Sequence, residues 1–209
     1  MANAACGGSS PSRFCQWPSK RVSESMSLDD FPARLKAARQ GEDSALTQLY
    51  EAFADRVYRY IYFRVSDPHE AEDLAEDVFL RMLEAIGKCR VETEGMFIAW
   101  LFRIAHNVTL NYLKRRRPQQ PLSEELADGR DEPFDQAERR LTYEHLRRAL
   151  RALTEDQQSV IWLKFIEGLS NSEIALALAK NENAVKALQY RALKALYRNL
   201  APRGEVAPE

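Results

Sequence analysis

The chain has 209 residues, 45% hydrophobic and 29% charged, a balance that fits a folded globular protein, and no run nears the roughly twenty apolar residues that a membrane-spanning helix needs. Net charge is −1, which argues against a general nucleic-acid coat, yet charge is segregated: acidic before Phe97, basic from there to Arg117, acidic again to Glu138. Cys6, Cys15 and Cys89 have neither zinc-site spacing nor an even count for a disulfide framework, so a reducing cytoplasm is the expected compartment, with no metal or cofactor.

Residues 1–27 are rich in Ser, Gly and Pro and lack apolar periodicity, which predicts a disordered arm. A first helical domain is expected over 28–117. Its first helix runs from Asp30 to Gln40 and is stopped by Gly41, whose missing Cβ permits a left-handed cap. From Ser44 to Val65, the spacing of Leu46, Leu49, Phe53, Val57, Tyr60 and Ile61 predicts an aromatic-rich core helix. Asp67-Pro68 is a capping side chain followed by proline at the first helical position, with Glu70 where a capping box would put it. That third helix is expected to end at Gly87, to bury Ala71, Leu74, Val78 and Leu83, and to expose Glu72, Asp73, Glu76 and Asp77. No histidine or cysteine faces those carboxylates, which leaves a solvated face or a docking surface for a basic partner.

After a polar loop, Lys88 to Met96, comes FIAWLFRIAHNVTLNYLKRRR, Phe97 to Arg117, which contains no acidic residue. On a helix, Phe97, Leu101, Ile104, Ala105 and Val108 form a core stripe. Trp100, Arg103, Asn107, Asn111 and Lys114 line a neighbouring side, so an indole, two amides and two cations stand in a row. Cations neutralise phosphate, amides bond phosphate or base edges, and an indole stacks on an unpaired base. The bland alternative is a core helix whose basic end complements its dipole.

An acidic, proline-containing linker is predicted over 118–136, a second helical domain over 137–201 and a tail over 202–209. Thr154-Glu155-Asp156-Gln157 and Ser170-Asn171-Ser172-Glu173 both have the capping-box pattern. The first opens a helix through Val160, Ile161, Leu163 and Phe165 to Gly168. The second opens a short helix through Ile174 and Leu178, and after a turn at Ala179 to Asn181 a last helix turns Val185, Leu188, Ala192 and Leu196 inward. Short helix, turn and longer helix make a helix-turn-helix, with Asn183, Lys186, Ala187, Tyr190, Arg191 and Lys194 outward, a set able to reach phosphates and base edges in a major groove.

Together YEAFADRVYRYIYFRV, DPHEAEDLAEDVFLRMLEAI, the Phe97–Arg117 stretch and LTEDQQSVIWLKFIEGLSNSEIALALAKNENAVKALQYRALKAL resemble the bacterial RNA polymerase sigma factors of the extracytoplasmic-function (ECF) class, from about Leu46 to Leu200. The resemblance implies an all-α fold of two small helical domains joined by a flexible linker, the second a helix-turn-helix domain. Its task would be to bind core RNA polymerase and promoter DNA in answer to an envelope or environmental stress, under control of an anti-sigma factor. Carried over, Asp73, Glu76, Asp77 and Phe79 would dock on core polymerase. Trp100, Arg103, Asn107, Asn111 and Lys114 would meet the minus-ten element, while loop 88–96 captures a flipped base. Asn183, Lys186, Tyr190, Arg191 and Lys194 would read the minus-thirty-five element. The family often has glycine where Ala179 and Asn183 stand, so at Ala179 a strained or differently shaped turn is expected.

From Pro118 to Arg140 a free coil spans about 25 to 30 Å, whereas DNA elements two turns apart lie about 70 Å from each other. A helix-turn-helix regulator that is not a polymerase subunit is the alternative, but neither a heptad seam nor a glycine-rich ligand loop is present. An enzyme is not expected, since no nucleophile with a neighbouring base, metal set or phosphate loop emerges.

Overall fold

The computed structural model describes residues 31–116 and 144–200, which are helices and short connections with no strand among them. The expected arm, linker and tail, with Cys6, Cys15 and Arg117, lie outside the described residues.

Helix α1 (Phe31–Arg39) buries Phe31, Leu35 and Ala38, one side of a helix at i, i+4 and i+7. It ends as a Schellman motif: Glu42 N–H donates to Ala37 O and Gly41 N–H to Ala38 O, with Gly41 at φ +82. Helix α2 (Asp43–Val65) closes on Ser66, itself left-handed, and α3 (Pro68–Ile86) starts at once because the Asp67 carboxylate accepts from Glu70 N–H at 3.1 Å. Helix α4 (Glu94–Arg116) begins three residues earlier than its apolar pattern indicated, because Thr93 Oγ1 accepts from Met96 N–H and caps it. The loop after α3 is correspondingly shorter than expected. The core of this first domain is aromatic: Phe97 meets Phe31 at 5.5 Å and Phe53 at 5.3 Å between ring centroids.

The second domain holds a helix described over 144–151, here α5, then α6 (Glu155–Phe165), α7 (Asn171–Leu178) and α8 (Glu182–Leu200). Both capping boxes are formed. Between α7 and α8, Ala179 adopts φ 52, ψ 43, left-handed, which is the strained of the two expected turn shapes, and Lys180 N–H donates to Ala175 O. Val185 and Ala192 of α8 are buried as expected, with Leu188 and Leu196 half-buried, whereas Phe165, expected inside, is 60% exposed at the end of α6.

The two domains lie against each other, α6 on α2 and α7 on α4, and their apolar residues form one continuous cluster from Phe31 to Val185. Arg56 pairs with Glu167 at 2.6 Å, and Trp162 of α6 meets Tyr60 and Phe63 of α2 at 6.0 and 5.3 Å. At Gly95 α4 comes close to α7: a Cβ there would lie 2.9 Å from Glu173 Cδ.

Candidate nucleic-acid interface

Helix α4 has three faces rather than two. Phe97, Leu101, Ala105 and Val108 are buried as predicted, with Ile104 half-buried on the same core. A second buried face, Ile98, Phe102, His106 and Thr109, lies a third of a turn away, where Tyr60 of α2 and Ser159 of the second domain both reach it. Sequence reasoning missed it. The available signal was a spread of apolar residues too wide for a helix with one packed side. The third face is free: Arg103, Asn107, Asn111 and Lys114 are exposed, and Trp100 is half-buried with its ring 5.6 Å from Phe97. All five residues of the predicted row therefore share one accessible side, with the indole rigidified by the core beneath it.

On α8 all five predicted residues, Asn183, Lys186, Tyr190, Arg191 and Lys194, are exposed, and Tyr190 reaches 66%. Arg191 Nε donates to Ala187 O at 3.2 Å, which lays its guanidinium along the helix. Buried Val185 and Ala192 hold the opposite face on α6 and α7, so the outward row is separate from the side chains that hold the helix in place.

Helix α3 needs two corrections. Phe79, expected on the docking face with Asp73, Glu76 and Asp77, is 6% exposed and makes an edge-to-face contact with Tyr50 at 4.8 Å. Leu83, expected inside, is 46% exposed, and Leu80 is 61% exposed. The reason is phase. Val78, Phe79, Met82 and Ile86 follow the buried stripe, which turns Leu80 and Leu83 to the side of Asp73 and Glu76. That side therefore combines carboxylates with two leucines. Asp77 is tied to Arg81 at 2.8 Å, while burial and then the nearby Glu76 raise the pKa of Tyr50.

A polar cluster lies between the domains. His106 Nδ1 is 3.2 Å from Tyr60 Oη, 3.3 Å from Ser159 Oγ and 3.3 Å from Arg64 Nη1. Arg64 also donates to Tyr60 Oη and, across the interface, to Glu155 O at 2.8 Å. Among the described residues no group of His, Cys, Asp and Glu side chains is arranged to hold a metal, and no helix is long and apolar enough to cross a membrane.

Each of the two helical domains matches a family model. Sigma-70 region 2 matches residues 49–119 and Sigma-70, region 4 matches residues 143–196. The chain is similar to the ECF RNA polymerase sigma factor BldN of Streptomyces coelicolor, at 38% identity over 170 residues, covering 79% of this chain and 64% of BldN. It is similar to the ECF RNA polymerase sigma factor SigX of Bacillus subtilis, at 31% over 160 residues, covering 73% of this chain and 81% of SigX. The solved sigma factor RpoE of Bartonella quintana, in complex with the anti-sigma factor NepR, shares the fold with a TM-score of 0.59 at 20% identity, over 74% of this chain and 95% of that one.

Proposed function

Because the chain belongs to the ECF class of RNA polymerase sigma factors, we propose that it binds core polymerase, brings it to promoters with paired minus-ten and minus-thirty-five elements, and helps open the duplex there. The observation that carries this is the exposed row of α4. Trp100, Arg103, Asn107, Asn111 and Lys114 stay accessible although that helix is packed on two other sides. Packing on Phe97 uses only part of the indole, and a solvent face has no structural need for two amides beside it. Stacking and backbone contacts to unpaired DNA give them a use. The outward side of α8 serves as the reader of the upstream duplex.

Core polymerase supplies the chemistry, and the chain itself is a binding and positioning subunit working in the cytoplasm. Its docking surface is the side of α3 carrying Asp73, Glu76, Leu80 and Leu83, with Asp77 at the margin, a mixture that suits a basic partner with an apolar centre. An anti-sigma factor is the regulating partner, as NepR is for RpoE, and a stress signal acts through it.

In-vitro transcription by core polymerase with and without the chain tests the reading. Promoter-specific transcripts are expected only with it. The charge reversals Asp73→Lys and Asp77→Lys should weaken assembly with core while far-UV circular dichroism is unchanged, and unaltered core affinity would remove α3 from the docking role.

A further inference from the structure

Closure of the two domains conflicts with the proposed task. Helix α7 lies directly on α4 and α8 directly on α7. At 8–10 Å per packed pair, α8 is then about 20 Å from α4. Promoter elements two turns apart lie about 70 Å from each other. The closed form therefore cannot engage both elements, and something must decide when it opens.

We propose that His106 is a proton-operated latch between the domains: its neutral imidazole lets them close, and protonation parts them. The proposal rests on the sigma-factor reading for its biological consequence, but not for its physics.

The geometry is specific. His106 is 6% exposed, on the face of α4 that carries Ile98 and Phe102 toward the second domain. The donors around Nδ1 set its protonation state. Arg64 Nη1 points toward it and Tyr60 Oη, which itself accepts from Arg64, has its proton free to give, so Nδ1 accepts and the neutral Nε2–H tautomer is assigned. Ser159 Oγ donates to Glu155 O on its own helix, and Arg64 Nη2 donates to that same carbonyl. The first domain thus grips the second through an arginine that lies against a histidine. A proton on Nδ1 would place an N–H and a positive charge 3.3 Å from the guanidinium, inside a buried contact.

Other charges facing the ring do not cancel this. From α6 Asp156 favours the charged imidazole, but Asp156 is paired with Lys180 at 2.9 Å. Lys180 itself, beside the α7–α8 turn, and Lys114 on α4 both oppose the charge. Burial first and Arg64 second bring the pKa of His106 down from 6.5 to about 4 in the closed form.

The sign follows by linkage. A value depressed on closing means that the closed form binds the proton less well than the open form. Closure is at full strength above the open-form value and weakens as pH falls from about 6.5 toward 4. Arg64 stays with α4 when the domains part, so 6.5 is the upper limit for the open form. On that limit the closed-to-open ratio falls by up to about tenfold between pH 7.5 and pH 5.5. Acidification to pH 5.5 would thereby raise the open-to-closed ratio by up to about tenfold, in a form that exposes the apolar faces of α4 and α7 and releases the two DNA-binding domains from each other.

Hydrogen exchange of the full chain, corrected for the intrinsic pH dependence of exchange, follows the open population, because helices that lose the partner domain fray more readily. Amides in residues 98–109 and 171–178 should lose up to about tenfold protection between pH 7.5 and 5.5, while those in α3 keep theirs. His106→Gln, neutral at every pH, should abolish the difference. An equal loss in His106→Gln, no loss in the wild type, or a loss spread over α3 would each overturn the latch. If His106→Gln does not fold, the wild-type titration decides. Log protection must change with a slope of no more than one proton and bend between pH 4 and 6.5, and a steeper slope overturns the proposal. Transcription at the two pH values is scored separately. Latch behaviour without a promoter response would refute the functional reading and leave the proton coupling standing.

Discussion

Gly95→Ala should interact energetically with a residue seventy-eight positions away, Glu173, and the sign of its effect should depend on which residue is there. Gly95 is in the first turn of α4, and replacing a helical glycine by alanine ordinarily gains up to about 1 kcal/mol. In this fold the new methyl would fall inside contact distance of the Glu173 carboxylate, 2.9 Å from Cδ. That carboxylate accepts from Ser170 N–H and Ser170 Oγ, both at 2.7 Å, and is half of the capping box of α7. The clash falls on Oε1 and Cδ while both bonds are held by Oε2, so clearing the methyl tilts the carboxylate and weakens or breaks them, at a cost of up to about 1 to 2 kcal/mol for a lost cap. Gly95→Ala is therefore expected to be neutral to destabilising in the wild type but stabilising in a Glu173→Ala background. The two effects should differ by about 1 to 2 kcal/mol. Urea unfolding of the wild type, both single variants and the double variant completes the cycle. Equal effects in the two backgrounds, within the roughly 0.3–0.5 kcal/mol of ordinary additivity, would mean that α4 and α7 do not touch in solution.

Ala179→Gly should raise stability by about 0.5 to 1 kcal/mol, the left-handed penalty of about 1 to 2 kcal/mol less the greater freedom of glycine in the unfolded chain; thermal melting checks it, and a lower midpoint would contradict the observed turn. Trp100→Ala should impair promoter opening more than promoter occupancy, because a stacking platform is worth roughly 1–3 kcal/mol per base only once bases leave the duplex. Permanganate footprinting separates the two, and normal melting at wild-type occupancy would remove Trp100 from this role.

Features of this chain that depend on neighbours in sequence could be read without a structure. Thr154 with Gln157 and Ser170 with Glu173 form their boxes because a capping side chain reaches only three residues along. Gly41 and Ala179 end their helices in left-handed turns for equally local reasons. The exposed rows on α4 and α8 follow from helical periodicity alone, since it fixes which side chains share a face.

Periodicity does not state what packs on a face, and the expectations that failed did so for that reason. Phe79 and Leu83 on α3 exchange places relative to expectation because α2 offers Tyr50 as a ring partner, a contact between residues twenty-nine apart. Phe102 is apolar on a side of α4 that α2 covers only in part, through Tyr60 at 5.3 Å, and α7, from the other end of the chain, packs on the same helix. His106 in sequence is a lone histidine on a mostly apolar helix. Its meaning depends on Arg64 from α2 and Ser159 from α6 meeting at one nitrogen. Local hydrogen bonding and side-chain phase thus determined the helices, most of their ends and the exposed rows of α4 and α8, whereas closure of the two domains, a sum of long-range contacts, was decided by the tertiary structure alone.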